Sequence, residues 1–200
     1  MSEMESLHDR IMWEDSEQTR LLRERAIWWG PVCKEVPVTP LIELLLHDVS
    51  FEEVENVLEE HPDYAEHPEM SASVHVALAL KRYDIAEVLV KNGLEIDVNA
   101  LDDHGLSLLM KFVINEDIDG VKFCISHGGD VNCSFLDSDE HENDRINLLE
   151  MVVFLENLEL VEMLLDNGAE IVYKDPPFVL LLMLCQYRVL ETNGLQFWKH

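Results

Sequence analysis

The stretch EVLVKNGLEIDVNALDDHGLSLLMKFV, residues 87–113, contains one helix-like segment that stops at a glycine and another that starts after a short loop. Gly93 ends the first segment, and glycine adopts the left-handed conformation of many helix C-termini without a Cβ clash. Asp102 and Gly105 lie in the loop, and a new apolar run follows them. The stretch therefore predicts the end of one helix, a connecting loop and the start of the next helix.

The same pattern occurs three times along the chain. The segments FCISHGGDVN, residues 123–132, and EMLLDNGAEI, residues 162–171, align with EVLVKNGLEI. Their glycines, Gly93, Gly128 and Gly168, are 35 and 40 residues apart. Each is preceded by apolar spacing for two short helices around a polar break, so each unit is predicted to be helix, turn, helix and loop. A weaker copy, TPLIELLLHDVSFEEVENVLEEHPD, occupies residues 39–63.

These units resemble the ankyrin repeat. The family opening Asp-x-x-Gly-x-Thr-Pro-Leu-His is met in part by Asp102, Gly105, Ser107 and Leu109, although no unit keeps the full Thr-Pro-Leu-His. The family ending Leu-Leu-x-x-Gly-Ala-Asp-Val-Asn is met in part by LVKNGLEIDVN, CISHGGDVN and LLDNGAEIV. The resemblance implies an all-α ankyrin-repeat solenoid of about four repeats, with apolar positions such as Leu89, Val121 and Leu164 buried between neighbouring units.

Three regions are predicted: an N-terminal helical cap at residues 1–36, ankyrin repeats with a C-terminal capping helix at 37–190, and a tail at 191–200. In the first region, SEQTRLLRERAIWWG indicates a helix with Ser16 as N-cap and Gly30 as its stop. Near the other end, residues 178–185 form an unbroken apolar run. A bilayer-spanning helix needs about 20 apolar residues, so this run predicts a buried capping helix rather than a membrane span.

No catalytic residue, cofactor or metal site is predicted. The chain lacks a phosphate-binding glycine loop, an H-E-x-x-H sequence and a nucleophile elbow. His61 and His67 lie near carboxylates but are interpreted as solvated, and the acidic segment DSDEHEND, residues 137–144, lacks the glycine turn of a calcium-binding EF-hand. The four cysteines show no CxxC spacing, which favours free thiols. The polar, acidic N-terminus does not resemble a secretory signal, so a cytoplasmic location is predicted.

Charge is the main indication of a partner. The chain has 41 acidic and 14 basic side chains, which gives a formal net charge of -27. This charge repels nucleic acids and anionic membranes and attracts basic proteins. We therefore predict a basic protein partner, such as a toxin or a nucleic-acid-binding enzyme, without direct binding to nucleic acid or membrane, and a monomer or a 1:1 complex.

The predicted binding surface consists of the loop tips between repeats, where the resemblance to ankyrin repeats places partners. The second glycine spacing is five residues longer than the first, and the extra residues fall within SFLDSDEHENDR, residues 134–145. Insertions in one repeat often form loops on a binding face. The predicted partner-binding residues are Asp102, Asp103, His104, Phe135, Asp137, Asp139, Glu140, Glu142 and Asp144. The alternative acidic face lies on the helix SFEEVENVLEEH and comprises Glu52, Glu53, Glu55, Glu59 and Glu60. The apolar face of the same helix is predicted to consist of Phe51, Val54, Val57 and Leu58.

Three non-enzymatic hypotheses follow from this pattern, and the first is the preferred one. The first is a stoichiometric inhibitor of a basic protein, like the small acidic immunity proteins or antitoxins that cover the active cleft of a toxin. The second is a regulatory adaptor of a host cell or virus that inhibits a transcription or signalling factor. An acidic DNA mimic that blocks a nucleic-acid enzyme is a third hypothesis, which requires carboxylates at phosphate spacing.

Overall fold

The computed structural model describes residues 17–24, 38–47, 49–102, 104–135 and 146–171. It divides the chain into two compact units, Met1–Asp97 and Val98–His200. The predicted N-cap Ser16, the helix stop Gly30 and the apolar run at 178–185 lie outside the described residues. The three predicted regions therefore stay a prediction.

The described part of the first unit consists mainly of short helices. Its elements are α1 (Glu17–Glu24), α2 (Pro40–Leu45), α3 (Phe51–Glu60), two 3-10 turns (Pro62–Glu66 and Pro68–Ser71), α4 (Ala72–Ala79) and α5 (Tyr83–Lys91). Helix α2 packs against α4, and α3 packs against α5. The first helices of successive pairs therefore form one row and the second helices another, as expected for stacked repeats.

The second unit also contains short helices that pack on one another, and it adds a short strand pair. Its elements are α6 (Leu108–Ile114), α7 (Ile118–Ser126), β1 (Ser134–Phe135), β2 (Ile146–Asn147), α8 (Leu148–Phe154) and α9 (Leu158–Asp166). Helix α6 packs against both α7 and α8, and α8 packs against α9. The antiparallel strands pair Ser134 with Asn147 and Phe135 with Ile146, so they join the two ends of the predicted insertion. The predicted all-α class is confirmed, with these strands as a minor addition.

Side-chain caps begin the first helix of three pairs. The Thr39 hydroxyl accepts a hydrogen bond from the Ile42 N–H at 3.3 Å, and the Ser107 hydroxyl accepts one from the Met110 N–H at 3.3 Å. Asn147 does the same with the Glu150 N–H at 2.7 Å. Serine and asparagine thus replace threonine at this position, because each supplies an oxygen acceptor to an unpaired N–H of the first turn. Helix α4 has no such side-chain cap.

A tight left-handed turn joins the helices of each of the last three pairs. Lys81, Glu116 and Glu156 have φ angles of 60°, 52° and 57°. In each turn the next N–H returns to a carbonyl in the preceding helix: Arg82 to Ala77 at 2.8 Å, Asp117 to Phe112 at 2.9 Å and Asn157 to Val152 at 3.3 Å. This is the Schellman arrangement, formed here by charged side chains instead of the glycine that usually occupies it.

The three glycines of the sequence pattern end the second helix of these pairs. Gly93, Gly128 and Gly168 have φ angles of 95°, 81° and 89°, which confirms the predicted left-handed helix ends. In the second unit, the asparagine after a glycine binds the next glycine loop. Asn99 donates to the Gly128 carbonyl at 2.9 Å and accepts from the Asp130 N–H at 2.8 Å. Asn132 makes the same two bonds to the Gly168 loop, at 3.2 and 2.8 Å.

The core of each unit lies between its helices. Leu89 in the first unit and Val121 and Leu164 in the second are fully buried, as predicted. Gly120 of α7 packs closely against the ring of Phe112 in α6, since a Cβ at Gly120 would lie 2.1 Å from a ring carbon. In the part of the chain that the structure describes, no helix is long and apolar enough to cross a bilayer.

Candidate protein-interaction surfaces

The predicted loop at residues 101–104 is ordered by Asp102. One carboxylate oxygen accepts the N–H groups of His104 at 2.8 Å and Leu106 at 3.0 Å, and the other contacts the Lys111 ammonium at 2.8 Å. Burial raises the pKa of Asp102, but the Lys111 contact and the two N–H donors outweigh it, so the pKa lies below its ordinary value. The Asp102 side chain is only 10% exposed. The negative charge of Asp102 is therefore compensated by groups of the chain itself.

The other predicted loop residues are described only in part. His104 is exposed, and Phe135 lies in β1, where the structure describes its backbone and not its side chain. The remaining predicted residues, Asp103, Asp137, Asp139, Glu140, Glu142 and Asp144, lie outside the described residues. The loop-tip surface as a whole stays a prediction.

The alternative acidic face is present on α3, with two differences in detail. Glu52, Glu59 and Glu60 are exposed, whereas Glu55 is half-buried beside the buried Val54 and Leu58. Glu53 is exposed but accepts the backbone N–H of Ser50 at 2.7 Å and its hydroxyl at 3.0 Å, and these bonds lower its pKa. Glu53 is therefore part of a capping box that begins α3.

Phe51 also differs from expectation. The sequence places it on the apolar face of α3, but it is 37% exposed because it starts the first turn, at the margin of the buried line through Val54 and Leu58.

His61 and the two described cysteines take part in local packing. His61 stacks on Tyr64 with ring centroids 4.9 Å apart. Cys124 is buried and Cys133 half-buried, and both are free thiols. Burial raises the pKa of both, that of Cys133 to about 11, with a further contribution from the Asp130 charge. Within the described ranges, no group of three or more His, Cys, Asp or Glu side chains is placed to hold a metal ion.

Three exposed apolar side chains lie at helix ends in the second unit, where the sequence did not predict a site. Ile114 is the last residue of α6 and is 41% exposed, and Phe154 is the last residue of α8 and is 57% exposed. Leu158, the first residue of α9, is 38% exposed. We call these three residues the helix-end patch. The sequence contains one signal for this patch, because Ile114 and Phe154 occupy the same position in their repeats. Each lies two residues before a glutamate that adopts the left-handed conformation.

Helix pairs with matching caps, left-handed turns and glycine ends define an α-helical repeat protein. A family model described as ankyrin repeats, in three copies, matches residues 74–175, just over half of the chain. The chain therefore belongs to the ankyrin-repeat family and forms an all-α ankyrin solenoid. No curated protein and no solved structure gave a significant match. Ankyrin repeats are a protein-interaction module, so the surfaces above are candidate contact sites for protein partners.

Proposed function

We propose that this ankyrin protein binds a basic protein and inhibits it by covering a functional surface. The observation that carries the proposal is the charge of the chain, 41 acidic against 14 basic side chains. A field of this sign raises the rate at which a basic protein encounters the chain and disfavours acidic partners.

Several of the basic side chains are already engaged by carboxylates of the chain itself. Lys111 contacts Asp102 at 2.8 Å, Lys122 lies 3.5 Å from Asp119, and Arg82 lies 3.5 Å from Asp84. Each contact pairs one basic side chain with one carboxylate, so the excess of carboxylates over basic groups is unchanged. Most of the other Asp and Glu residues are not adjacent in sequence to a lysine or an arginine.

Both units carry acidic segments without a basic residue. Residues 38–80 contain ten acidic residues and no lysine or arginine, and residues 146–173 contain six and none. Exposed carboxylates in these segments include Glu52, Glu59, Glu60, Glu156, Glu159, Asp166 and Glu170. An acidic segment of this kind in either unit supports a basic partner, as expected for the active cleft of a nuclease-like toxin.

The proposal is tested by capture with the full-length chain from its native cytoplasm at about 50 and about 500 mM NaCl, where screening lengths differ several-fold. We expect a basic protein that is retained at low salt and released at high salt. The matched control replaces Glu52, Glu59 and Glu60 by glutamine and leaves Glu53, which caps α3, unchanged. Retention of only neutral or acidic proteins, or retention insensitive to salt, would contradict the proposal.

Inhibition is tested separately once a captured partner is purified. We expect its activity to fall linearly with added chain and to reach its minimum at a 1:1 ratio, as for a stoichiometric inhibitor. A stable complex that leaves the activity of the partner unchanged would favour the adaptor hypothesis instead.

A further inference from the structure

We propose that the helix-end patch, Ile114, Phe154 and Leu158, is the site where an apolar side chain of a basic protein segment docks. The inference rests on the proposed function and adds a location and a recognition chemistry to it. The segment it fits carries a large apolar residue flanked by lysine or arginine.

The residues of the patch are brought together by the repeat. Helices α6 and α8 pack against each other, and Ile114 and Phe154 occupy the same final position in them. The turns that follow are tied directly, because the Asn157 side-chain amide donates to the Glu116 carboxylate at 2.9 Å. Leu158 comes immediately after Asn157, so it lies beside the same pair of turns.

The patch is a feature of the second unit and not of every repeat. The corresponding position at the end of α4 is Ala79, which is 7% exposed. The second unit replaces this alanine by two larger apolar side chains that remain exposed to water. In protein interfaces a few central residues, often aromatic, contribute most of the binding energy.

The charge around the patch indicates a basic occupant. Glu116 and Glu156 are exposed and lie two residues after Ile114 and Phe154, and exposed Glu159 follows Leu158. The equivalent turn residue after Ala79 is Lys81, which has the opposite charge. Both glutamates have positive φ, a conformation in which glycine is less strained. The acidic rim disfavours nucleic acid, an anionic membrane and a second copy of this chain, and it complements lysine or arginine.

The experiment selects binders from a random-peptide library displayed on phage, with the full-length chain as target at low salt. We expect the selected peptides to carry an aromatic or aliphatic residue between basic residues. Their Kd for Phe154→Ala and for Ile114→Ala should rise about tenfold or more, as for loss of a central anchor. The double variant Glu116→Gln and Glu156→Gln should weaken binding and reduce its salt dependence, while the glutamine oxygen can still accept from Asn157.

The matched control is Leu101→Ala, since Leu101 is 61% exposed in the same unit but lies in a loop outside the patch. Its Kd should stay within about twofold of the wild-type value, as for a residue outside the anchor. Circular dichroism and unfolding curves of each variant establish that the fold is kept.

Three outcomes would overturn the inference. Basic peptides whose Kd is unchanged in Phe154→Ala would refute the patch and leave the proposed basic partner intact. Peptides without basic residues that still require Phe154 would refute the basic partner. A sedimentation experiment in which Phe154→Ala converts an oligomer of the chain into a monomer would assign the patch to contact between copies.

Discussion

At the residue scale, the Asp102 carboxylate orders the loop before α6 by accepting from three donors. The N–H groups of His104 and Leu106 hold one oxygen, and Lys111, one turn into α6, holds the other. The loop and the helix are thus connected by one side chain. A nearly buried ion pair with additional hydrogen bonds contributes more to stability than an exposed pair.

Replacement of Asp102 by asparagine should lower the free energy of unfolding at pH 7 by about 1 kcal/mol, because the ion pair with Lys111 is lost. The folded-state pKa of Asp102 is lower than the unfolded value, so this stability is present above the unfolded pKa and is lost as pH falls through the folded pKa. The difference between wild type and Asp102→Asn should therefore shrink below about pH 3.9. Urea unfolding of the wild type and of Asp102→Asn at several pH values measures this difference in stability.

The control for this prediction is Asp119→Asn. Asp119 is 71% exposed and lies 3.5 Å from Lys122, so its replacement should change stability by less than about 0.5 kcal/mol. An equal loss in both variants, or a loss in Asp102→Asn that is independent of pH, would contradict the assigned role of Asp102.

At the scale of the elements, each described helix pair of the second unit depends on a turn that a charged residue forms in the left-handed conformation. The φ angle of Glu156 is 57°, and its backbone N–H bonds the Val153 carbonyl at 3.1 Å. A negative side chain at this point also lies next to the C-terminus of α8, where the helix dipole disfavours an anion. The positive φ and the negative charge of Glu156 therefore destabilise this turn, and other contacts of the fold offset that destabilisation.

Replacement of Glu156 by glycine should raise the free energy of unfolding by about 1 kcal/mol, since glycine adopts this φ without strain and removes the unfavourable charge. Thermal or urea unfolding of the full chain measures the change.

The reciprocal control is Gly168→Ala. Gly168 has a φ of 89° and no atom close to an added Cβ, so alanine there should destabilise through backbone strain alone, by about 1 kcal/mol. Destabilisation by Glu156→Gly would show that the glutamate makes a favourable contact.

At the scale of the whole molecule, the net charge of -27 opposes the compact state. Like charges repel more strongly when the chain is folded than when it is extended, and exposed carboxylates such as those of α3 are close to one another in sequence. The stability of the fold and the attraction of a basic partner therefore respond to salt in opposite directions.

We expect the melting temperature to rise as NaCl is increased from about 10 to about 150 mM, because the screening length falls from about 30 to about 8 Å. Differential scanning calorimetry measures it, and KCl at the same ionic strength should give the same curve. A melting temperature that falls with salt would mean that attractive pairs such as Lys111 with Asp102 outweigh the repulsion.

The sequence by itself determined the repeat, the helix ends and the core. Left-handed glycines and apolar spacing act within a few residues of chain, so Gly93, Gly128 and Gly168 and the buried Leu89, Val121 and Leu164 were predictable from local pattern. The net charge, on which the proposal of a basic partner rests, also required no structure.

Only the tertiary structure decided which side chains are available to a partner. Asp102 is engaged because Lys111 reaches it from the next helix, and Asn99 is engaged because the Gly128 loop lies across from it, 29 residues away. Ile114 and Phe154 fit the apolar pattern of buried helix residues, yet they are exposed at the ends of α6 and α8. Exposure depends on how successive repeats stack, and local sequence does not specify that stacking.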